Sequence, residues 1–367
     1  MSGQKSVQAQ FDKILSCKNL NKFADSIQEV LMFGGYSESK FFICKIGKEK
    51  TRYLVKMAFY KKTNPELYRN NINTLPPHEV ELAVLKLFKK TIVDANISPC
   101  IIDLIHYTKC GSASIVTPKI LTCHQYVTKS KSSDNIIDSL NMIFCNYAEL
   151  VRNDLAYDQF NYLVLESCDV TFYEYLTHLR SKSSISFEQF RSFMFQIIYT
   201  IYRIRQIYPS FRHGDLHSEN IMIKYDKQFK YDPTNPQFYQ FHVSGTPYNV
   251  PYFGITCKII DFGFAVIEEE GIKSSISEDK FITFIKTKND VLFLLYDIWN
   301  IQGNNKMVSD FLEKLEPNKT FLHYNTDYIS HIDEHIPTVD DMIKNEVFSS
   351  YKKYSPRPEQ IIHSFAM

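Results

Sequence analysis

From Phe187 to Ile207 apolar residues return every three or four positions, with no proline or glycine among them. Such a repeat specifies a helix about 30 Å long whose apolar surface is wide enough to demand burial on most sides. The run stops at Pro209, and a few residues later the chain turns polar in His213-Gly-Asp-Leu-His-Ser-Glu-Asn220. A chain with this pair of features needs a helical body large enough to wrap the helix, and that body delivers a polar loop at the helix's end.

The region before this helix follows another period. Residues 1–28 read as polar helical turns, with Phe11, Ile14, Leu15 and Leu20 at roughly helical spacing. Alternation then takes over in Val30-Leu-Met-Phe, Phe41-Phe-Ile-Cys-Lys-Ile and Tyr53-Leu-Val-Lys-Met-Ala, three expected strands separated by Gly34-Gly35 and Gly47-Lys-Glu-Lys. A helix is predicted after Pro76-Pro77, with Val80, Val84, Leu85, Leu87 and Phe88 on its apolar face, and Tyr162-Leu-Val-Leu-Glu166 reads as a further strand. Thr338-Val-Asp-Asp341 has the form of a helix N-cap with an acidic first turn. The resulting expectation is an α+β chain with an N-terminal helical extension (1–28), a small β-rich lobe with one main helix (29–166) and a larger helical lobe (167–367). A length of 367 residues suits such a two-part body.

Bulk properties narrow the class. A net charge of +1 supplies no electrostatic drive toward nucleic acid or an anionic membrane. No apolar run approaches the ~20 residues that cross a bilayer, and Met1-Ser-Gly-Gln-Lys-Ser has no signal-peptide character. The eight cysteines show no Cys-x-x-Cys spacing, so reduced thiols and an intracellular setting, host cytoplasm or virion for a viral chain, are expected.

The polar loop and one later segment specify chemistry. Asp215 and Asn220 share the loop, and Ile259-Ile-Asp-Phe-Gly263 adds Asp261 beside a glycine. Phosphoryl transfer needs this set: a carboxylate to take the hydrogen bond and proton of an attacking hydroxyl, and hard oxygen ligands for Mg2+ beside the β- and γ-phosphates. Lys56 sits in an alternating strand, Leu54-Val-Lys-Met-Ala, where burial of its cation requires a phosphate or carboxylate partner.

These segments, in this order, resemble the eukaryotic protein-kinase superfamily: His213 to Asn220 is similar to its catalytic loop, and Asp261-Phe-Gly263 to its metal-binding triplet. The resemblance implies a bilobal kinase-like fold. It makes Asp215 the base toward the substrate hydroxyl, Asn220 and Asp261 the metal ligands and His213 a support for the loop. It pairs Lys56, on the α/β-phosphates, with Glu81 in preference to Glu79, because Glu81 fits the apolar register that follows. It places Gly34 and Gly35 over the phosphates, although Phe33-Gly34-Gly35 read alone is also an ordinary hairpin turn. Adenine would bond the backbone of Glu166 and Cys168, with Leu165 limiting the rear pocket, and Asp290 would anchor the catalytic loop.

Two departures refine the resemblance. Gly214 stands where the family's catalytic-loop arginine would pair with a phosphorylated activation segment, so switching by such phosphorylation is not expected. Asp261 follows Asp215 by 46 positions, with an aromatic insertion at about 225–257 that contains Ser244-Gly245 and Pro251. This layout, with His217 in place of the lysine common in serine/threonine kinases and no Ala-Pro-Glu after Phe264, is similar to haspin-like kinases and the kinases of large DNA viruses. The implied activity is transfer of the γ-phosphate of Mg-ATP to Ser/Thr hydroxyls of protein substrates. The alternatives are a small-molecule phosphotransferase of the aminoglycoside- or choline-kinase type, suggested by His-Gly-Asp-Leu-His, and a pseudokinase scaffold.

Overall fold

Alternation near the N-terminus becomes a five-stranded antiparallel sheet: β1 (Ile27–Leu31), β2 (Ser39–Ile46), β3 (Thr51–Lys61), β4 (Leu104–Cys110) and β5 (Ala156–Glu166), in the order β1-β2-β3-β5-β4. The computed structural model describes residues 9, 11–15, 26–31, 39–46, 51–61, 75–110, 147–182, 186–274, 290–319 and 337–365. They divide into one unit of Met1–Asn70 with Asp103–Ser167 and another of Asn71–Ile102 with Cys168–Met367. Small sheets combined with several helices give the α+β organisation expected from the two periods.

In the first unit the period of two sorts the side chains. Val55, Met57 and Phe59 of β3 join Phe160, Tyr162 and Val164 of β5 on one face, where Phe11, Leu15 and Tyr147 complete a buried cluster. Each large apolar side chain removed from water there contributes about 1.5–3 kcal/mol. Lys56 belongs to the opposite face, pairs in register with Phe41 and Leu163, and is only 4 % exposed. β1 begins before the expected Val30, because Ile27 is buried and Gln28 exposed, which extends the alternation backward. β5 likewise starts six residues before Tyr162, where polar side chains alternate with buried Ala156 and Phe160. Cys110 is disulfide-bonded, which corrects the expectation of reduced thiols throughout; Cys100, Cys168 and Cys257 form no disulfide.

The second unit is built on helices. α1 (Pro77–Phe88) opens with proline at its first position, where a missing N–H costs nothing. After β6 (Val170–Thr171) come α2 (Phe172–Lys182) and α3 (Phe187–Ile207), whose bounds are those of the apolar repeat. Ser186 caps α3 by accepting from the Gln189 N–H at 3.2 Å, and the residues from Phe190 to Ile204 are all buried. Further along come α4 (Asp290–Gln302), α5 (Lys306–Leu315) and α6 (Val339–Lys344), the last opened by a Thr338–Asp341 capping box at the N-cap its sequence predicts.

β7 (Ile221–Tyr225) leads into the insertion, which folds as the hairpin β8 (Gln237–Val243) and β9 (Thr246–Tyr252), and β10 (Ile255–Ile259) leads out of it. Ser244 and Gly245 make the hairpin turn with φ of 49° and 79°. β10 pairs with β7, β11 (Val266–Ile267) pairs with β12 (Ile272–Lys273), and β13 (Ile361–Phe365) lies parallel to β8 to complete a β13-β8-β9 sheet. That sheet rests on α3: Phe195 touches the rings of Phe241, Tyr248, Phe348 and Tyr351, and the Ser192 hydroxyl donates to Pro251 O at 3.0 Å.

Candidate functional site

α3 is capped at Tyr208, and buried Phe211 leads the chain into a bridge in which Arg212 and Val266 exchange both backbone hydrogen bonds. The next residue, His213, is fully buried, and its ring shapes the loop from within. Its Nε2 lies 2.9 Å from Ile260 O and its Nδ1 3.3 Å from the Asp215 N–H. A carbonyl can only accept and an amide can only donate, so the ring is the neutral tautomer protonated at Nε2.

Gly214 follows with φ +79°, and a Cβ there would sit 2.6 Å from Phe264 O. The position therefore requires glycine on two counts: a left-handed backbone and a carbonyl against it. This accounts in local terms for the missing arginine.

Two carboxylates on α4 hold the loop. Asp290 accepts from the His213 N–H at 2.9 Å and the Gly214 N–H at 3.0 Å, one with each oxygen. Asp297, seven residues on and so on the same helical face, accepts from the Ser218 N–H at 2.8 Å. Asp290 is buried and also lies 3.9 Å from Arg205 Nη2. Burial pulls the Arg205 pKa down, with Asp290 opposing and Arg212 adding to the shift.

The clamped loop brings together Asp215, His217 and Asn220. The Asn220 amide nitrogen donates to Asp215 O at 2.8 Å and to Asp215 Oδ2 at 3.1 Å, and lies 3.1 Å from His217 Nε2. His217 Nε2 is 3.6 Å from Asp215 Oδ2. Burial disfavours the imidazolium, but Asp215, Asp297 and Glu219 outweigh it and raise the His217 pKa above 6.5. The Asp215 side chain is 33 % exposed, open enough to meet a substrate.

Asp261 joins this loop through its neighbour, since the Ile260 N–H donates to Asn220 O at 3.0 Å. It is one of the few residues other than glycine with positive φ, 59°, a backbone state that costs about 1–2 kcal/mol and needs support from its surroundings. That support is an aromatic column: Phe262 meets His213 at 5.0 Å and Phe88 of α1 at 5.4 Å, and Phe88 meets Phe211 at 5.4 Å. Gly263 lets α1 approach, since a Cβ there would be 3.3 Å from Pro77.

Glu81 is 3 % exposed on α1, while Glu79 is half-buried in the first turn. Lys56 and Glu166 lie in the first unit; Glu81 and Cys168 lie in the second. The Glu166 N–H donates to Asp103 O at 3.0 Å, and its carboxylate accepts from the Asp103 N–H at 2.9 Å. Gly34 and Gly35 fall outside the described residues.

Sequence reasoning missed Asp297 and the contacts beyond Asp261. Its signal was the seven-residue interval from Asp290. Beyond Asp261, Glu269 accepts from the Ser210 N–H at 2.9 Å and Glu268 lies 3.6 Å from Arg212, so acidic side chains tie this segment to the approach to His213. Among the described residues no group of three or more His, Cys, Asp or Glu side chains forms a metal-ligand cluster, and no helix is long and apolar enough to cross a membrane.

No protein-family model matches the chain. It is similar to "Putative serine/threonine-protein kinase R301" of Acanthamoeba polyphaga mimivirus, 25 % identical over 398 aligned positions that span 96 % of each chain. It is also similar to "Putative serine/threonine-protein kinase R400" of the same virus, 24 % identical over 241 positions covering 65 % of this chain and 47 % of that one. These likenesses support a kinase-like family with viral relatives.

Proposed function

We propose that the chain is a divergent protein kinase with a bilobal, haspin-like layout, moving the γ-phosphate of Mg-ATP to Ser/Thr hydroxyls of proteins. The observation that carries this reading is the Asp215–Asn220 arrangement: a partly exposed carboxylate bonded by the Asn220 amide, on a loop clamped by Asp290. The donor chemistry fits magnesium, since the Asn220 carbonyl and the Asp261 carboxylate are hard oxygen ligands of the kind Mg2+ takes alongside phosphate and water. When bound, Mg2+ neutralises charge on the transferring phosphate.

The chain's own residues do the rest. Asp215 accepts the hydrogen bond of the acceptor hydroxyl and then its proton, and Asn220 and neutral His213 fix the carboxylate's direction. Lys56 lies against the α/β-phosphates with Glu81 as its partner, and the backbone of Glu166 and Cys168 takes the adenine. His217 supplies a positive charge beside Asp215 when protonated. The near-full-length likeness to a mimivirus protein named as a serine/threonine kinase favours a protein acceptor over an aminoglycoside or choline.

Thermal unfolding with ATP, with and without Mg2+, tests the nucleotide half of this reading. ATP is expected to stabilise the wild type far more with Mg2+ than without, and Asp261→Asn to lose the difference. A wild type indifferent to Mg-ATP at millimolar concentration defeats it.

A further inference from the structure

The loop from His213 to Asn220 and the turn at Asp261 are joined at two places. The first is at Ile260, whose N–H donates to Asn220 O at 3.0 Å and whose carbonyl oxygen lies 2.9 Å from His213 Nε2. One junction fixes a distance and leaves a pivot. The second lies outside both motifs, between the stretch from Ser210 to Arg212 and the stretch from Val266 to Glu269.

Ser210 is the hub of that second junction. Its N–H donates to one oxygen of the Glu269 carboxylate at 2.9 Å, its hydroxyl donates to the other, and the same hydroxyl accepts from the Glu268 N–H at 2.7 Å. The Ser210 hydroxyl, followed by the backbone bonds, holds the Glu269 carboxyl below the usual carboxylate range. Two residues on, Arg212 and Val266 exchange backbone bonds at 3.0 and 2.9 Å, and the Arg212 guanidinium stands 3.6 Å from the Glu268 carboxylate. The turn that presents the two acids is closed on itself, with the Gly271 N–H donating to Glu268 O at 3.0 Å. Ser210 lies five residues before Asp215, and Glu269 eight after Asp261. Glu269 is exposed and Ser210 half-buried, so these bonds compete with water and add little to stability. What they supply is direction, because both donors of one residue grip both oxygens of one carboxylate.

We propose that Ser210 is a positioning residue of the phosphotransfer site: with Glu269 it latches the segment after Asp261 to the approach to His213, and so fixes Asp215 relative to Asp261. This inference rests on the kinase reading and adds a residue pair to it. Neither member of the pair touches substrate; both act through the backbone that carries the two aspartates.

Labelled phosphate transfer from Mg-ATP and thermal unfolding are compared for wild type, Ser210→Ala, Ser210→Thr, Glu269→Gln and the double variant Ser210→Ala with Glu269→Gln. In Ser210→Ala, kcat and kcat/KM should fall together by about tenfold, while Tm stays within about 2 °C of wild type. Ser210→Thr keeps the hydroxyl and should recover most of the rate. The double variant should be no slower than the slower single variant, since the two side chains act through one another. Losses that multiply in the double variant, or a Ser210→Thr as slow as Ser210→Ala, overturn the latch. If Ser210→Ala does not fold, Glu269→Gln decides: a several-fold slower kcat at unchanged Tm supports the role, and a wild-type kcat rejects it. An active wild type matched in kcat by Ser210→Ala defeats this inference alone, whereas an inactive wild type defeats the kinase reading and this inference with it.

Discussion

The loop from His213 to Asn220 and the β13-β8-β9 sheet belong to the same unit, yet they are held by opposite means. The loop is fixed by a few directional bonds: two carboxylates on α4 reach three of its backbone amides, and one buried imidazole braces it from inside. The sheet is held by spread aromatic packing, with Phe195, Tyr199, Phe241, Tyr248, Phe348, Tyr351 and Phe365 in mutual ring contact. Directional bonds set position to a fraction of an ångström, and packing sets stability through area. Damage to the first should register mainly in catalysis, and damage to the second mainly in folding.

The largest stability effect should come from the packed side. Phe195→Ala empties a fully buried position at the centre of the ring cluster and is expected to cost about 3–5 kcal/mol in denaturant unfolding. Phosphate transfer per folded molecule should stay near wild type. A fall in turnover as large as the fall in stability would erase the distinction between the two regions.

Asp290→Asn tests the directional side. One amide would lose its acceptor and face an N–H instead, at a cost of about 1.5–3 kcal/mol. Hydrogen exchange at the His213 and Gly214 amides should quicken, and turnover should drop by more than tenfold. Gly214→Ala attacks the same loop through the backbone: φ +79° and the Phe264 carbonyl leave no room for a Cβ. The expected cost is about 1–2 kcal/mol for the backbone alone, with a loss of turnover that exceeds what unfolding explains.

The smallest effect lies outside both regions. The Thr338 hydroxyl and N–H bond to Asp341 and hold its pKa below the usual 3.8. A depressed carboxylate contributes stability that is present above pH 3.8 and lost as pH falls through the folded pKa. The melting difference between wild type and Asp341→Asn should therefore shrink only below about pH 4, and an equal difference at pH 7 and pH 3 would contradict the capping role.

Local periodicity carried much of the fold. α3 has the bounds of its apolar repeat because a 21-residue helix buried along its length keeps one pattern without a break. The α6 cap was equally legible, since its donors and acceptors lie within four residues of one another. The partner of the insertion was not. β13 joins β8 across more than a hundred residues, and nothing in five residues of Ile-Ile-His-Ser-Phe names its partner strand. At the site, the letters of the loop pointed to Asp215, Asn220 and Asp261, and the alternation around Lys56 pointed to a buried cation. Asp297 stayed hidden because a helix-face acid looks the same whether it meets water or a backbone amide. Gly214 was legible as a missing arginine; the Phe264 carbonyl that requires glycine there became visible only with the backbone in place.

The most direct measurement is transfer of labelled γ-phosphate from Mg-ATP to a mixed protein substrate by wild type and by Asp215→Ala, with both variants first matched in melting temperature. Wild type is predicted to label Ser and Thr, and Asp215→Ala to lose about 100- to 10,000-fold in rate. Equal transfer by the two proteins, or none by a wild type that binds Mg-ATP, would contradict the assignment of Asp215 as the base of a working kinase.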